Sequence, residues 1–212
     1  PVNKEALIDF LWPEADGRSA INRLHGVVHA LRAAIDTDRC NKEWMYIRRE
    51  GEGYYFNLDS PQFVDVFRFR QILDEALMSD RERPEQDTLA FLQEAIALYR
   101  GDLYENEFDA EHFEAEREYL RQLYVAAVRR LVEIRISRGE LEQACSCLRE
   151  ALRIYAAEEG LHQGLIKLLL MQGKRREAFK QFDLCVEIVR RDLDAEPLPE
   201  TLQLKSMMTQ SS

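Results

Sequence analysis

Apolar residues return at helical spacing along most of this chain, and the exceptions fall in one short stretch. Ala6, Leu7, Phe10 and Leu11 recur on one helix face. Asn3 precedes them as an N-cap, and Pro13 closes the segment because the residue before a proline avoids the right-handed helical region. A longer pattern of Ala20, Leu24, Val27, Val28, Leu31 and Ile35 forms one stripe. It predicts a helix over Ser19–Ile35, starting at Gly17 or capped by Ser19 and ending near Asp36. The other side of that helix carries Ser19, Asn22, Arg23, His29 and Arg32. Trp44-Met45-Tyr46-Ile47 and Tyr54-Tyr55-Phe56 are then aromatic and β-branched runs. They flank a polar connector, Arg48-Arg49-Glu50-Gly51-Glu52-Gly53, and so predict a hairpin; Pro61 ends the stretch. Helix, turn, helix and hairpin in this order have the shape of a helix-turn-helix with a wing, which sets one helix and one loop against a nucleic-acid duplex.

From Val64 the period stays helical. Helices are expected over Val64–Ser79, Gln86–Tyr99, Ala110–Arg138, Leu141–Ala156, Glu158–Gln172, Arg175–Asp192 and Glu200–Met208. Part of this stretch matches itself. Gly139 and Gly173 are 34 residues apart, and the same offset pairs Ala144 with Ala178, Leu148 with Phe182, Ala151 with Cys185, Leu131 with Leu165 and Ile134 with Leu168. A period of 34 with a small residue five after the glycine is the tetratricopeptide signature. In such a repeat Ala144 and Ala178 stand where two helices cross closely, and Leu148 or Phe182 fills the space one turn on. The expected fold class is mainly α: a partial winged helix-turn-helix with a β-hairpin wing over residues 1–60, then a tetratricopeptide-like α-helical repeat domain over 61–212.

Composition narrows the function. The chain has 212 residues with 46% hydrophobic and 32% charged, as in ordinary soluble domains. No apolar run approaches the roughly 20 residues that cross a bilayer, and the start lacks a signal-peptide pattern. Four cysteines (Cys40, Cys145, Cys147, Cys185) are too sparse for a disulfide framework, which favours reduced thiols and a cytoplasmic protein. Cys145 and Cys147 diverge on one helix and do not chelate. The net charge of −10 argues against a protein that coats nucleic acid non-specifically, yet local basic groups still bind phosphate because the interaction is short-ranged in salt.

Two groups of motifs resemble one known plan. Leu7-Ile8-Asp9-Phe10-Leu11-Trp12-Pro13-Glu14-Ala15-Asp16, with Leu24 to Leu31-Arg32, resembles the OmpR-type winged helix. Asp65-Val66-Phe67-Arg68-Phe69, Ala97-Leu98-Tyr99-Arg100-Gly101-Asp102-Leu103 and Glu196-Pro197-Leu198-Pro199-Glu200-Thr201 resemble the bacterial transcriptional activator domain. Together they are similar to the Streptomyces antibiotic regulatory protein family. That resemblance implies a promoter-binding transcription factor contacting RNA polymerase, with the second helix in the major groove and the wing around Arg48–Gly53 on the backbone. It also implies a sheet and a helix ahead of Val2–Trp12, so the chain is expected to be a fragment of a longer regulator.

The candidate contacts to double-stranded DNA are therefore Ser19, Asn22, Arg23, His29, Arg32, Arg48 and Arg49. Arginine suits guanine and asparagine suits adenine through paired hydrogen bonds; a loop arginine can hold a phosphate. The bland reading is a solvated helix face and an exposed loop. His25 and His29 stand one turn apart, as do His112 and Glu116, but neither pair has a third ligand, and no metal or cofactor is expected. Trp12 is expected to pack the turn, and the run Glu105–Glu118 to be a solvated face. One ring set of Tyr54, Tyr55 and Phe56 is expected to anchor the wing and the other to meet Phe63, Phe67 and Phe69. No phosphate loop or catalytic constellation is present. Two functions compete: a DNA-binding regulator, whose helical part contacts polymerase, a sensor or a second copy as a homodimer; and a helical-repeat scaffold without its own DNA binding. Sensing of a small molecule in the helical part is a third.

Overall fold

The computed structural model describes residues 1–15, 17–36, 44–60, 63–78, 85–104 and 113–210. The chain divides into two compact units, residues 1–63 and 64–212. The first contains β1 (Val2–Asn3), α1 (Lys4–Leu11), α2 (Gly17–Ile35), β2 (Ile47–Glu50) and β3 (Gly53–Phe56). The second contains α3 (Asp65–Met78), α4 (Glu85–Leu98), α5 (Glu114–Ser137), α6 (Leu141–Ile154), α7 (Glu159–Met171), α8 (Arg175–Leu193) and α9 (Pro199–Gln210). The fold is mainly α, as the periodicity predicts.

In the first unit Asn3 caps α1, its Oδ1 accepting from the Glu5 N–H at 3.0 Å. The helix stops at Trp12, whose N–H still reaches the Ile8 carbonyl at 2.7 Å, just before Pro13. α2 begins at Gly17, so Ser19 lies exposed inside the first turn and does not cap it. The helical stripe is only partly covered. Ala20, Leu24 and Val28 are buried with Ile8 and Tyr54, but Val27 and Leu31 are 44% and 46% exposed. Leu31 lies near the centre line of that stripe, so the described residues simply bring nothing over it.

The small sheet has the order β1-β3-β2, antiparallel throughout. β1 was not legible in the sequence, since two residues show no alternation. It sits beside β3 with Val2 opposite Tyr54 and Asn3 opposite Gly53. Gly53 has to be glycine here: a Cβ would stand 2.6 Å from the Val2 carbonyl oxygen. The wing loop is shorter than the expected Arg48–Gly53. The strands run on through Glu50 and resume at Gly53, because Gly51 takes φ +53° and turns the chain in two residues.

In the second unit each helix packs on the next from α3 to α8, and α9 lies on α7 and α8. Nearest-neighbour stacking of this kind is how helical repeats bury a continuous core. The two glycines 34 residues apart have the same conformation, φ +74° at Gly139 and +73° at Gly173. Each ends its helix with the same pair of bonds: Gly139 N–H to Ile136 O (2.9 Å) and Glu140 N–H to Arg135 O (2.8 Å), Gly173 N–H to Leu170 O (2.9 Å) and Lys174 N–H to Leu169 O (2.8 Å). That is the Schellman C-cap, which needs a left-handed residue. After it Ala144 and Ala178 are wholly buried, and Leu148 and Phe182 are 2% and 3% exposed.

Two of the sequence motifs work as clamps. Glu159 is buried; its carboxylate accepts the Leu198 N–H (2.9 and 3.1 Å) and the Thr201 hydroxyl, which in turn accepts from Gln163 Nε2 at 2.9 Å. A carboxylate at that position satisfies the start of α9, while Pro199 has no N–H to leave unpaired. Asp102 accepts from Tyr99 Oη (3.1 Å) and Tyr155 Oη on Oδ1, and from Arg121 Nη2 (2.5 Å) on Oδ2. Burial pushes Asp102 up, but the Tyr155 and Arg121 hydrogen bonds outweigh it and hold the carboxyl below its ordinary value. Burial also lifts Tyr99 and Tyr124, whose rings stack at 4.6 Å, to about 12.

Some expectations change. Phe69 is buried in the helical unit's own core, while Phe63 and Phe67 are exposed. Glu114, Glu116 and Glu118 are not merely solvated: they face Arg117, Arg70 and Arg121 in ion pairs. Cys145, Cys147 and Cys185 are free thiols, and burial pushes Cys185 up to about 12. Cys40, Pro61, Ser79, Ala110 and His112, with the earlier part of Glu105–Glu118, lie outside the described residues. No helix among the described residues is long and apolar enough to cross a membrane.

Candidate nucleic-acid interface

The buried side of α2 fixes which side is outward. With 100° per residue, Leu24 at the centre of the buried side puts Asn22, Gly26 and His29 on the far side. All three are exposed, with Arg18, Ser19 and Arg23 beside them. Arg18 lies outside the sequence candidates; its signal is its place in the first turn of α2. Among the described residues none of Arg18, Arg23 or Arg48 is held in an ion pair.

The candidates do not all stay on that face. Arg32 is half-buried and turned toward the hairpin: its Nε donates to the Ile47 carbonyl at 2.9 Å, and its guanidinium lies over the Trp44 and Tyr54 rings, 5.4 Å from each. It was expected on the bare polar flank. Instead cation–π stacking and a carbonyl acceptor take it into the joint between α2 and β2. His29 is exposed but also leans on this joint, its ring edge-on to Trp44 at 5.7 Å. Arg23 lies over Trp12, 4.7 Å from the ring centroid, so the tryptophan that packs the turn also steadies this cation.

Two further residues lock the hairpin, and neither stood out in the sequence. Asp36, buried at the end of α2, accepts the Met45 N–H at 3.0 Å. Asn57, buried just after β3, donates from Nδ2 to the Met45 carbonyl at 2.9 Å, while its own N–H reaches Tyr46 O at 2.7 Å. Their partners lie 9 to 12 residues away in sequence, so no local spacing announces them. Together with Arg32 they fix the hairpin against the C-terminal part of α2.

At the hairpin Arg48 stands opposite Tyr55 and Arg49 opposite Tyr54. Both arginines are exposed. Arg49 bends over the turn, donating from Nε to Gly51 O at 3.0 Å and pairing with Glu52 at 3.4 Å; Lys4 pairs with the same glutamate. Lys4 holds the Glu52 carboxyl below its ordinary value. The tip is therefore partly neutralised, and Arg48 is its unpaired cation among the described residues. The first unit carries eight lysines and arginines against ten acidic residues, the second 21 against 29, so most of the net negative charge belongs to the second unit.

Comparison with known proteins follows the same division. The fold is similar to that of EmbR from Mycobacterium tuberculosis, solved in complex with a low-affinity phosphopeptide, with a TM-score of 0.71 at 20% identity. The likeness covers 98% of this chain and 54% of that one, so the chain spans about half the length of the protein it matches. No curated protein matches the sequence. Residues 64–208 match the family described as "Bacterial transcriptional activator domain". With that match over most of its length, the chain belongs to the bacterial transcriptional activator domain family, a family of transcription regulators and not an enzyme class.

Proposed function

We propose that this chain binds double-stranded DNA at bacterial promoters, with the outward face of α2 in the major groove and the β2–β3 hairpin on the phosphate backbone. One observation carries the reading: Arg18, Ser19, Asn22, Arg23 and His29 stand exposed opposite the buried side of α2, and the hairpin with Arg48 and Arg49 is locked against the same helix. Within this reading Asn22 meets a base edge, Arg18, Arg23, Arg48 and Arg49 meet bases or phosphates, and Ser19 a phosphate. Arg32 acts at one remove, holding the hairpin in place. The helical unit hands the signal to a protein, as RNA polymerase, a sensor or a second copy of the chain, and the outcome is activation.

The test is a binding titration with duplexes selected from a randomised pool. Arg48→Ala and Arg23→Ala are each expected to weaken binding on every sequence and to lower the slope of log affinity against log salt by about 1. Asn22→Ala is expected to lose selectivity, at about 1–3 kcal/mol for one base pair. Unchanged affinity in all three, or binding indifferent to salt, overturns the assignment of α2.

A second reading, a repeat scaffold that does not itself bind DNA, is favoured by the acidic excess of the helical unit and by its stacked helix pairs. It is the reading left standing if no duplex binds.

A further inference from the structure

We propose that Gly26 is the point of closest approach between this chain and the duplex, and that the absence of a side chain there sets how deep α2 enters the groove. The inference rests on the DNA-binding reading above.

Gly26 lies in the middle of α2, where glycine lowers helix stability relative to alanine. Nothing among the described residues accounts for that loss. Its backbone is not among those with positive φ, so no left-handed turn requires glycine. A Cβ built on it meets no atom of the described residues within 4 Å, so none of the described elements crowds it either. It is exposed, and about 160° around the helix from buried Leu24. Ser19 and Asn22 lie within about 40° of it, Arg23 and His29 within about 60°. The two longer of these side chains are drawn aside, Arg23 over Trp12 and His29 against Trp44. The backbone at Gly26 is thus left bare between side chains able to hydrogen-bond to a duplex.

A bare helix backbone at that place lets the helix axis sit closer to the bases than any other residue type permits. A side chain at position 26 pushes the whole helix outward, lengthening every contact made by Asn22 and its neighbours at once.

Gly26→Ala and Gly26→Leu in the full chain test this, using the duplex selected on the unchanged protein together with thermal unfolding. The alanine variant is expected to unfold a few degrees higher, because helix propensity improves and nothing clashes. It is expected to bind the duplex about tenfold more weakly, and the leucine variant about a hundredfold more weakly. Weaker binding by a more stable protein cannot come from misfolding. Binding within about twofold of the unchanged protein in both variants overturns the proposal and leaves the DNA reading intact. A lower unfolding temperature for Gly26→Ala also overturns it, since the methyl group then meets protein. An unchanged protein that selects no duplex removes the DNA reading and this proposal with it.

Discussion

Phe182→Ala is expected to destabilise the helical unit by about 3–5 kcal/mol, the largest effect of any single truncation considered for this chain. Phe182 is 3% exposed on α8 and belongs to the core that runs through all the helix pairs. It occupies the repeat position that Leu148 fills one period earlier, next to buried Ala178. Alanines at 144 and 178 let the helices approach, so the large residue one turn on has to fill what remains. Removing its ring leaves a void bounded by rigid helices that cannot collapse into it. Lys205, whose ammonium lies 5.6 Å from the ring centroid, also loses its aromatic partner. Leu184→Ala, two residues along the same helix and 45% exposed, is expected to cost less than about 1 kcal/mol. Denaturant unfolding followed by circular dichroism checks both. Similar losses for the two variants would contradict the repeat core described above.

Asp102→Ala is expected to cost about 2–4 kcal/mol, because three donors lose one acceptor. Arg121 keeps its surface pairing with Glu118 and its place over the Tyr155 ring, and Tyr99 and Tyr155 keep their bond to each other. The same carboxylate makes stability depend on acid. Its folded pKa lies below the unfolded value, so the contribution is fully present above about pH 4 and is lost as pH falls through the folded value. Asp102→Asn keeps the shape and removes the charge. It is expected to flatten the acid limb of a stability–pH curve, and an unchanged limb would show that the hub contributes little.

How far the sequence led depended on how local each signal is. The Asn3 cap, the Pro13 stop and the Gly139 and Gly173 C-caps are each settled within about six residues, and the helices follow from them. Of the two starts the sequence allows for α2, Gly17 is the one adopted; Ser19 resembles a cap but lies inside the first turn, while Asp16, just before Gly17, lies outside the described residues. β1 is not readable from the sequence because two residues carry no period and its pairing depends on Gly53, some 50 positions later. The motif containing Tyr99 and Asp102 was visible as a pattern, yet its work depends on Arg121 and Tyr155, 19 and 53 residues away from Asp102. At the proposed interface the same rule holds. Asn22 and Arg23 follow from the face opposite the apolar stripe, whereas the turning of Arg32 into the hairpin depends on a carbonyl 15 residues ahead.

Hydrogen exchange of the full chain, with and without a duplex selected from a randomised pool, tests the central claim most directly. The account predicts that DNA slows exchange in residues 17–30 and 47–56 and leaves α6 through α8 unchanged. Protection confined to the helical unit, or none in α2 under conditions where the duplex is bound, would contradict it.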